Sequence, residues 1–425
     1  MSAQSLNNDF FRTNMRIIKW SGVWIPDESA HPVVKFWYLI FDTLIMIYFC
    51  VLFTPGEFVV LPETVKSFPD LMKNLNMGMT HFLAIIKIYT WFSKRKEILG
   101  IIDTLSKNTV AEKIGEFDPD KIIREDRKTK QIATLAFFSV ACCVGSSSCL
   151  NSLYIVLFNS ENQFATEIDA FNRTTVYYNQ KLPYYSWIPW DHRASRFNFA
   201  CAAVFQSMAV VNSAFIIVGF DTLFTAIIGY TSCQIKILQG AFRTIRPRIL
   251  RKLELPDLPT LKNSPEVEAE MMKEMNICII MLFISRMCEK LETIFTYITL
   301  GQVLISLVVF CTCLYLTSSI PMNDGKFLVE LIYLLAIEIQ IYIYCYFGNK
   351  VTLRGEDISM SLYEGDWLQS SAPFKSSMMI TMARMRRPIH LTIGKFTPLT
   401  ISTFVTIGRA SYSFFAVLKN QNQNP

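Results

Sequence analysis

The stretch "VKFWYLIFDTLIMIYFCVLF", residues 34–53, holds Lys35 and Asp42 as its only charges. A helix rises 1.5 Å per residue, so about 20 predominantly apolar residues cross the ~30 Å hydrocarbon core of a bilayer. Residues 34–53 meet that length, and they are apolar on every side rather than along one stripe. They read as a membrane span. The preceding residues are mixed and polar, with Arg12, Arg16 and Lys19 scattered through them. They lack the layout of a cleaved signal peptide, so this first span is expected to act as its own insertion signal.

Similar runs follow along the chain, and seven spans are predicted, at about 34–54, 70–92, 131–158, 197–230, 272–316, 327–348 and 397–419. His81 and Lys87 interrupt the second, which makes it the weakest. The fourth and fifth exceed one crossing and are expected to project beyond the membrane. The fold class is therefore an all-α membrane protein with seven transmembrane helices. Only 18% of the 425 residues are charged and 51% are hydrophobic, where a soluble chain carries about a quarter charged. The 11 cysteines all lie in or beside apolar runs, as small packing residues do, and none lies in the loop 159–195. The four histidines, at 31, 81, 192 and 390, form no pair at metal-ligand spacing. No phosphate loop or nucleophile elbow is present, so neither an enzyme nor a cofactor is expected. The net charge of +6 fits basic loops on one membrane face rather than nucleic-acid binding.

The loops assign the faces. Segments 1–35, 93–130, 231–272 and 349–395 hold 28 Lys and Arg between them, whereas 54–70, 159–196, 317–327 and the end at Lys419 hold 7. The basic side faces the cytoplasm, which puts the N-terminus inside and the C-terminus outside. The sequon Asn172-Arg173-Thr174 falls in the outer loop 159–196, so Asn172 is a candidate glycosylation site. This orientation is the reverse of a G-protein-coupled receptor. The third span also lacks an acidic-Arg-aromatic end, the last lacks an Asn-Pro-x-x-Tyr turn, and the outer loop lacks a cysteine.

Two stretches carry a family resemblance: "IYIYCYFGNKVTLRGEDISMSLYEGDW" (341–367), and "GKFTPLTISTFVTIGRASYSFFAVLK" (394–419) with its Ser-Tyr-Ser-Phe-Phe core. Together they resemble the C-terminal signature of insect odorant receptors. Across residues 1–300 the likeness is only one of length, span number and topology. The short loop 231–272 is similar to that of the tuned, ligand-binding subunits and not to the longer loop of the shared co-receptor. The gustatory ending Thr-Tyr-x-x-x-x-x-Gln-Phe is absent, and Ser411–Phe415 stands in its place, which speaks against a gustatory-type homomeric channel. Paired broken helices with repeat symmetry, the mark of a transporter, are absent too.

The resemblance implies a ligand-gated cation channel of four subunits, formed with a co-receptor in the plasma membrane of olfactory sensory neurons. It also implies a volatile ligand held in the outer half of the bundle. Residues 1–33 would be cytoplasmic, 34–230 would form most of the pocket, and 231–271 a cytoplasmic loop. Residues 272–396 would add spans five and six with an inner anchor, and 397–425 the pore-lining span and outer tail. At 100° per residue, Gly408, Ser411, Tyr412, Phe415 and Lys419 share one face of the last helix. By resemblance Phe415 is the apolar gate and Lys419 the next pore-facing turn. A lipid-facing ring and a snorkelling lysine are the alternative. Thr403, Thr406, Ala410 and Ser413 lie on a second, small and hydroxylated face suited to close packing. Arg409 needs a partner, for which Glu338 is a candidate.

A volatile ligand is held by apolar enclosure with one or two polar groups. Candidate pocket residues are Asn76, Met79 and Thr80 on the second span, and Ser147, Leu150 and Tyr154 on the third. The fourth adds Phe205, Met208, Ala209 and Asn212, the fifth Tyr315, and the sixth Tyr333 and Ile337. Taken singly, each reads more readily as ordinary helix packing than as pocket wall. The loop "YYNQKLPYYSWIPWDHR" (177–193) is either a lid over the pocket or an interfacial aromatic belt. Arg286, Glu289, Lys290 and Glu292, with the Tyr363/Trp367 pair, are candidates for the inner anchor.

Overall fold

The computed structural model describes residues 10–23, 31–107, 113–158, 164–168, 174–178, 181–256, 263–281, 284–386 and 389–423. A short amphipathic helix, α1 (Arg12–Trp20), precedes the first membrane helix. That helix, α2 (Pro32–Met46), opens with proline in its first turn, where the missing N–H costs nothing, and His31 accepts a bond from Val33 N–H. It runs on through a π-helical stretch, Ile47–Phe53, into α3 (Thr54–Val59) and the single turn α4 (Leu61–Thr64). The long helices are α5 (Phe68–Lys107), α6 (Pro119–Phe158), α7 (Arg196–Arg243), α10 (Ile284–Ser319) and α11 (Gly325–Tyr363). Between them lie α8 (Ile245–Lys252) and α9 (Pro265–Met281). After α11 come α12 (Ala372–Met385) and the last helix, α13 (Ile401–Gln423).

Among the described residues, six stretches are long and apolar enough to cross a membrane: Pro32–Thr64, Pro119–Ser147, Arg196–Arg243, Met287–Ser319, Gly325–Tyr363 and Ile401–Asn420. The remaining long helix, α5, has 40 residues but falls short in hydropathy. Its polar residues Asn74, Asn76, His81 and Lys87 are all buried, turned toward neighbouring helices rather than lipid. The interruptions that weaken the second span are thus its packing face. At 48 residues, α7 is ~72 Å long, more than twice the hydrocarbon core, so it does project beyond the membrane.

The bundle is organised around α7, which packs against α6, α11, α1 and α5. From Val218 to Ile235 every residue of α7 is buried. Ile18 of α1 lies against Gly219, and the rings of Phe10 and Phe11 pack on Tyr230. At the Lys/Arg-rich end, Asp126 of α6 meets Lys350 at 2.9 Å and also Arg354, both from α11. Arg243 of α7 meets Glu364 at 2.6 Å.

The last helix rests on α10 and α11. Pro398, which falls inside the predicted last span 397–419, instead closes a small hairpin before it, Thr392–Ile393 with Thr397–Pro398, turned through Gly394 at φ +58°. The backbone of this segment crosses α11 at Gly348, where a Cβ would run into the Leu399 carbonyl. Only glycine fits there. A second hairpin pairs Phe164–Ile168 with Thr174–Tyr178. Asn172 lies outside the described residues.

Candidate functional site

A cavity of about 60 Å³ lies inside the bundle between α5, α6, α7 and α11, with room for a few waters. Its wall is largely apolar, with Met77, Phe137, Val144, Val210 and Ile217 among its residues. Five polar side chains interrupt it: Thr80, His81, Ser213, Tyr333 and Gln340.

The upper polar groups are held by a chain of hydrogen bonds. His81 Nδ1 sits 2.8 Å from the Glu57 carboxylate and Nε2 sits 3.1 Å from Ser213 Oγ. Phe49 and Phe53 stand edge-on to the imidazole. Glu57 comes from α3, just past the π-helical stretch, and is almost fully buried. Thr80 and Tyr333 bridge α5 and α11 through their hydroxyls at 2.8 Å, and both reach the Asn76 carbonyl.

Below the cavity lies an ion pair inside the membrane-spanning bundle. Lys87 Nζ is 2.6 Å from Asp221 Oδ1, and neither side chain is more than 1% exposed. Gln302 accepts from Lys87 at 2.7 Å and donates to Ser306 at 2.8 Å. Tyr344 O–H donates to Asp221 at 2.7 Å, and the Gln340 amide donates to the same carboxylate. Four helices therefore meet in one network. A buried pair of this kind is tolerated only because the remaining lone pairs and protons are also bonded. Gln340 belongs to both the network and the cavity wall.

Of the sequence-predicted pocket residues, Thr80, Tyr333 and Ile337 come together on this cavity. Asn76 sits one turn above Thr80, with its side chain tying α5 to Thr312 and Cys313 of α10. Tyr315 packs on Phe68. Met79 is part-buried against the core, Ala209 is fully buried, and Ser147 donates back to Val144. Leu150, Tyr154 and Met208 are 65%, 62% and 62% exposed. Met208 and Asn212 line a groove of about 530 Å³ between α2, α6 and α7. Leu150 borders a neighbouring one.

The cavity residues of α6 and α7 are Phe137, Ala141 and Val144, and Val210, Ser213, Ala214 and Ile217. They lie deeper than the expected ones, by about ten residues (~15 Å along the axis) on α6 and about five (~7.5 Å) on α7. Sequence reasoning passed over His81, Ser213 and Gln340. The available signal was the polar pair inside the second span, because ionisable residues within a membrane helix mark built sites.

Phe205 lies under the loop that precedes α7, in ring contact with Tyr48, Phe53 and Trp190. That loop is fastened to the top of the bundle. Gln206 of α7 exchanges two hydrogen bonds with the backbone of Tyr184, and Trp187 N–H reaches the Gly56 carbonyl at 3.0 Å.

The five expected pore residues differ in exposure. Ser411 is buried with Thr403 and Ile407 on the strip that packs on α10, and its hydroxyl points to the Leu307 carbonyl. Phe415 is half-buried against Met72, Tyr315 and Leu316. Gly408 is half-buried too, whereas Tyr412 and Lys419 are exposed, and Lys419 Nζ lies 5.9 Å from the centre of the Phe415 ring. Arg409 and Glu338 are both exposed, and neither forms an ion pair among the described residues. At the candidate anchor, Glu292 bonds Thr392. Glu289 and Lys290 line an open groove with Glu97. The Tyr363 and Trp367 rings lie 6.0 Å apart.

Comparison with known proteins places this geometry. The family model described as 7tm odorant receptor matches residues 67–412. Odorant receptor 2a of Drosophila melanogaster is 22% identical over 353 residues, which cover 82% of each chain. Odorant receptor 63a of the same fly is 20% identical over 390 residues, covering 87% of this chain and 86% of that one. The solved structure of the insect olfactory receptor OR5 from Machilis hrabei in complex with eugenol has a TM-score of 0.72 at 13% identity, covering 98% of both chains.

Proposed function

This chain belongs to the 7tm odorant receptor family, and from that premise we propose that it is a tuned, ligand-binding subunit of a ligand-gated, non-selective cation channel. It is a multi-pass membrane receptor and not an enzyme. In the proposed reading the N-terminus is cytoplasmic, and the protein works in the plasma membrane of olfactory sensory neurons beside a co-receptor. A volatile, largely apolar molecule occupies the cavity bounded by Thr80, Tyr333 and Ile337, which widens from its volume of about 60 Å³ to admit it.

The observation that carries the channel reading is the uneven cover of α13. Thr403, Ile407 and Ser411 are buried against α10, while Ser402, Thr406, Arg409 and Ser413 are exposed. Ser402 pairs with Thr400, and Thr406 and Ser413 donate back to their own helix, so the costly group to turn toward lipid is the Arg409 charge, which suits water or a neighbouring subunit. Tyr412 and Phe415, with ring centres 5.9 Å apart, supply an apolar point of the kind that gates by dewetting. Lys419 supports mixed assembly. Four such ammonium groups around one outer mouth would oppose cation entry, and one or two among co-receptor subunits would not.

The test is co-expression with an odorant co-receptor and current recording across an odorant panel. Odorant-evoked cation current is expected from the pair and none from this chain alone. Strong current from the chain alone would overturn the mixed-subunit reading.

A further inference from the structure

We infer that the cavity selects ligands that donate a hydrogen bond, small alcohols and phenols, over ethers, ketones and aldehydes of the same shape. The inference rests on the reading of this cavity as the ligand site and follows from counting protons on its wall.

A hydroxyl carries one proton and two lone pairs, and an amide carbonyl carries lone pairs alone. Thr80 donates to the Asn76 carbonyl at 2.8 Å, and the Tyr333 proton goes to that carbonyl or to Thr80. Both protons are committed, and both oxygens keep accepting capacity. Ser213 and His81 behave alike in every tautomer. If Ser213 donates to the Val210 carbonyl, then His81 Nε2–H donates to Ser213. If Ser213 instead donates to Nε2, the remaining ring proton lies on Nδ1 against Glu57.

Gln340 settles the other end. Its nitrogen must face the Asp221 carboxylate, which only accepts, and its second proton points to Gln302 at 3.4 Å. Its carbonyl oxygen receives no donor from the described residues. Lys87 does not line the cavity and lies beneath its floor of Ile337 and Gln340, facing a smaller void. The wall thus offers oxygen lone pairs from Thr80, Tyr333, Ser213 and Gln340 and no uncommitted proton. A ketone, aldehyde or ether oxygen would be buried there without a partner, whereas an O–H would find several.

The test uses the full-length chain co-expressed with an odorant co-receptor, with surface level measured beside odorant-evoked current. The probes are matched sets: n-hexanol, its isomer methyl pentyl ether, and hexanal; then para-cresol and para-methylanisole. The alcohol and the phenol are expected to reach half-maximal current at about tenfold lower concentration than their partners, the ratio carried by one hydrogen bond. In the double variant Thr80→Val, Tyr333→Phe, which keeps shape and removes two acceptors, the ratio is expected to fall toward parity. The ratio in the unaltered protein stands as a test even if the double variant is not delivered. Equal or greater potency of the ethers and hexanal would overturn the inference and leave the receptor reading intact. Silence to every probe with protein at the surface would overturn both.

Discussion

The C-terminal half of α7 and the last helix, α13, are both membrane helices rich in polar residues, yet they are covered in opposite ways. From Val218 to Ile235 α7 is enclosed on all sides, and its carboxylate, Asp221, is met within the chain by Lys87, Gln340 and Tyr344. On α13 a single strip is covered, and Arg409 is exposed with no ion-pair partner among the described residues. Polar residues in a membrane helix can therefore mean two things. Those of α7 complete a network inside the chain, whereas on α13 the hydroxyls bond back to their own helix and Arg409 forms no ion pair among the described residues.

The contrast breaks most visibly at Lys87. Lys87→Met leaves the Asp221 carboxylate buried without its counter-charge, at a cost of ~3–5 kcal/mol, a large share of a typical folding free energy. Loss of the protein from the cell surface is expected, read by surface labelling. Pairing it with Asp221→Leu is expected to restore much of the delivery, because a buried pair replaced by apolar groups is often neutral.

Ile337→Ala comes next. It widens the cavity and is expected to cost about 2 kcal/mol, at the low end for such truncations because one side already faces empty space. The odorant ranking should move toward bulkier ligands, whereas the surface-exposed Met208→Ala should leave that ranking in place. Arg409→Ala is expected to change the melting temperature of the purified chain little, within about 0.5 kcal/mol, while lowering recovery of the mixed assembly in pull-down with a co-receptor. A large loss of single-chain stability would show that α13 is satisfied internally after all. The smallest effect is expected from Lys419→Gln: a modest rise in single-channel conductance of the mixed channel, fading at high salt as screening takes over.

Hydropathy made most of the helices legible, since long apolar runs have few alternatives. It did not give their ends, because α5, α7 and α11 continue as helices after their sequence turns polar. The Lys/Arg-rich segments that terminate a span in the sequence instead build the ion pairs Asp126–Lys350 and Arg243–Glu364. For the site, periodicity identifies a helix face but not a depth along the axis. Thr80, Tyr333 and Ile337 could be placed on the wall of the candidate cavity, since the polar groups of α5 gather on the face it turns to its neighbours and so mark that face. On α6 and α7 many small and apolar residues recur at similar spacing, and only packing selects Ala141 and Ser213 over Ser147 and Met208. His81 looked like a defect in a span because its partners, Glu57 and Ser213, are distant in sequence.

The uninterrupted length of α7 has a consequence for how this protein can change. Gln206 holds the preceding loop at Tyr184, Ser213 faces the cavity, Asp221 completes the ion pair and Arg243 meets Glu364, all on one rod with no break to absorb an error. One residue inserted near Gly219 would turn everything beyond it by 100°. Asp221 and Arg243 would both lose their partners at once. Side chains along α7 are free to be exchanged one at a time, but its length is not free to drift. Insertions and deletions in this lineage are expected in the segments between helices, and α7 should keep its residue count.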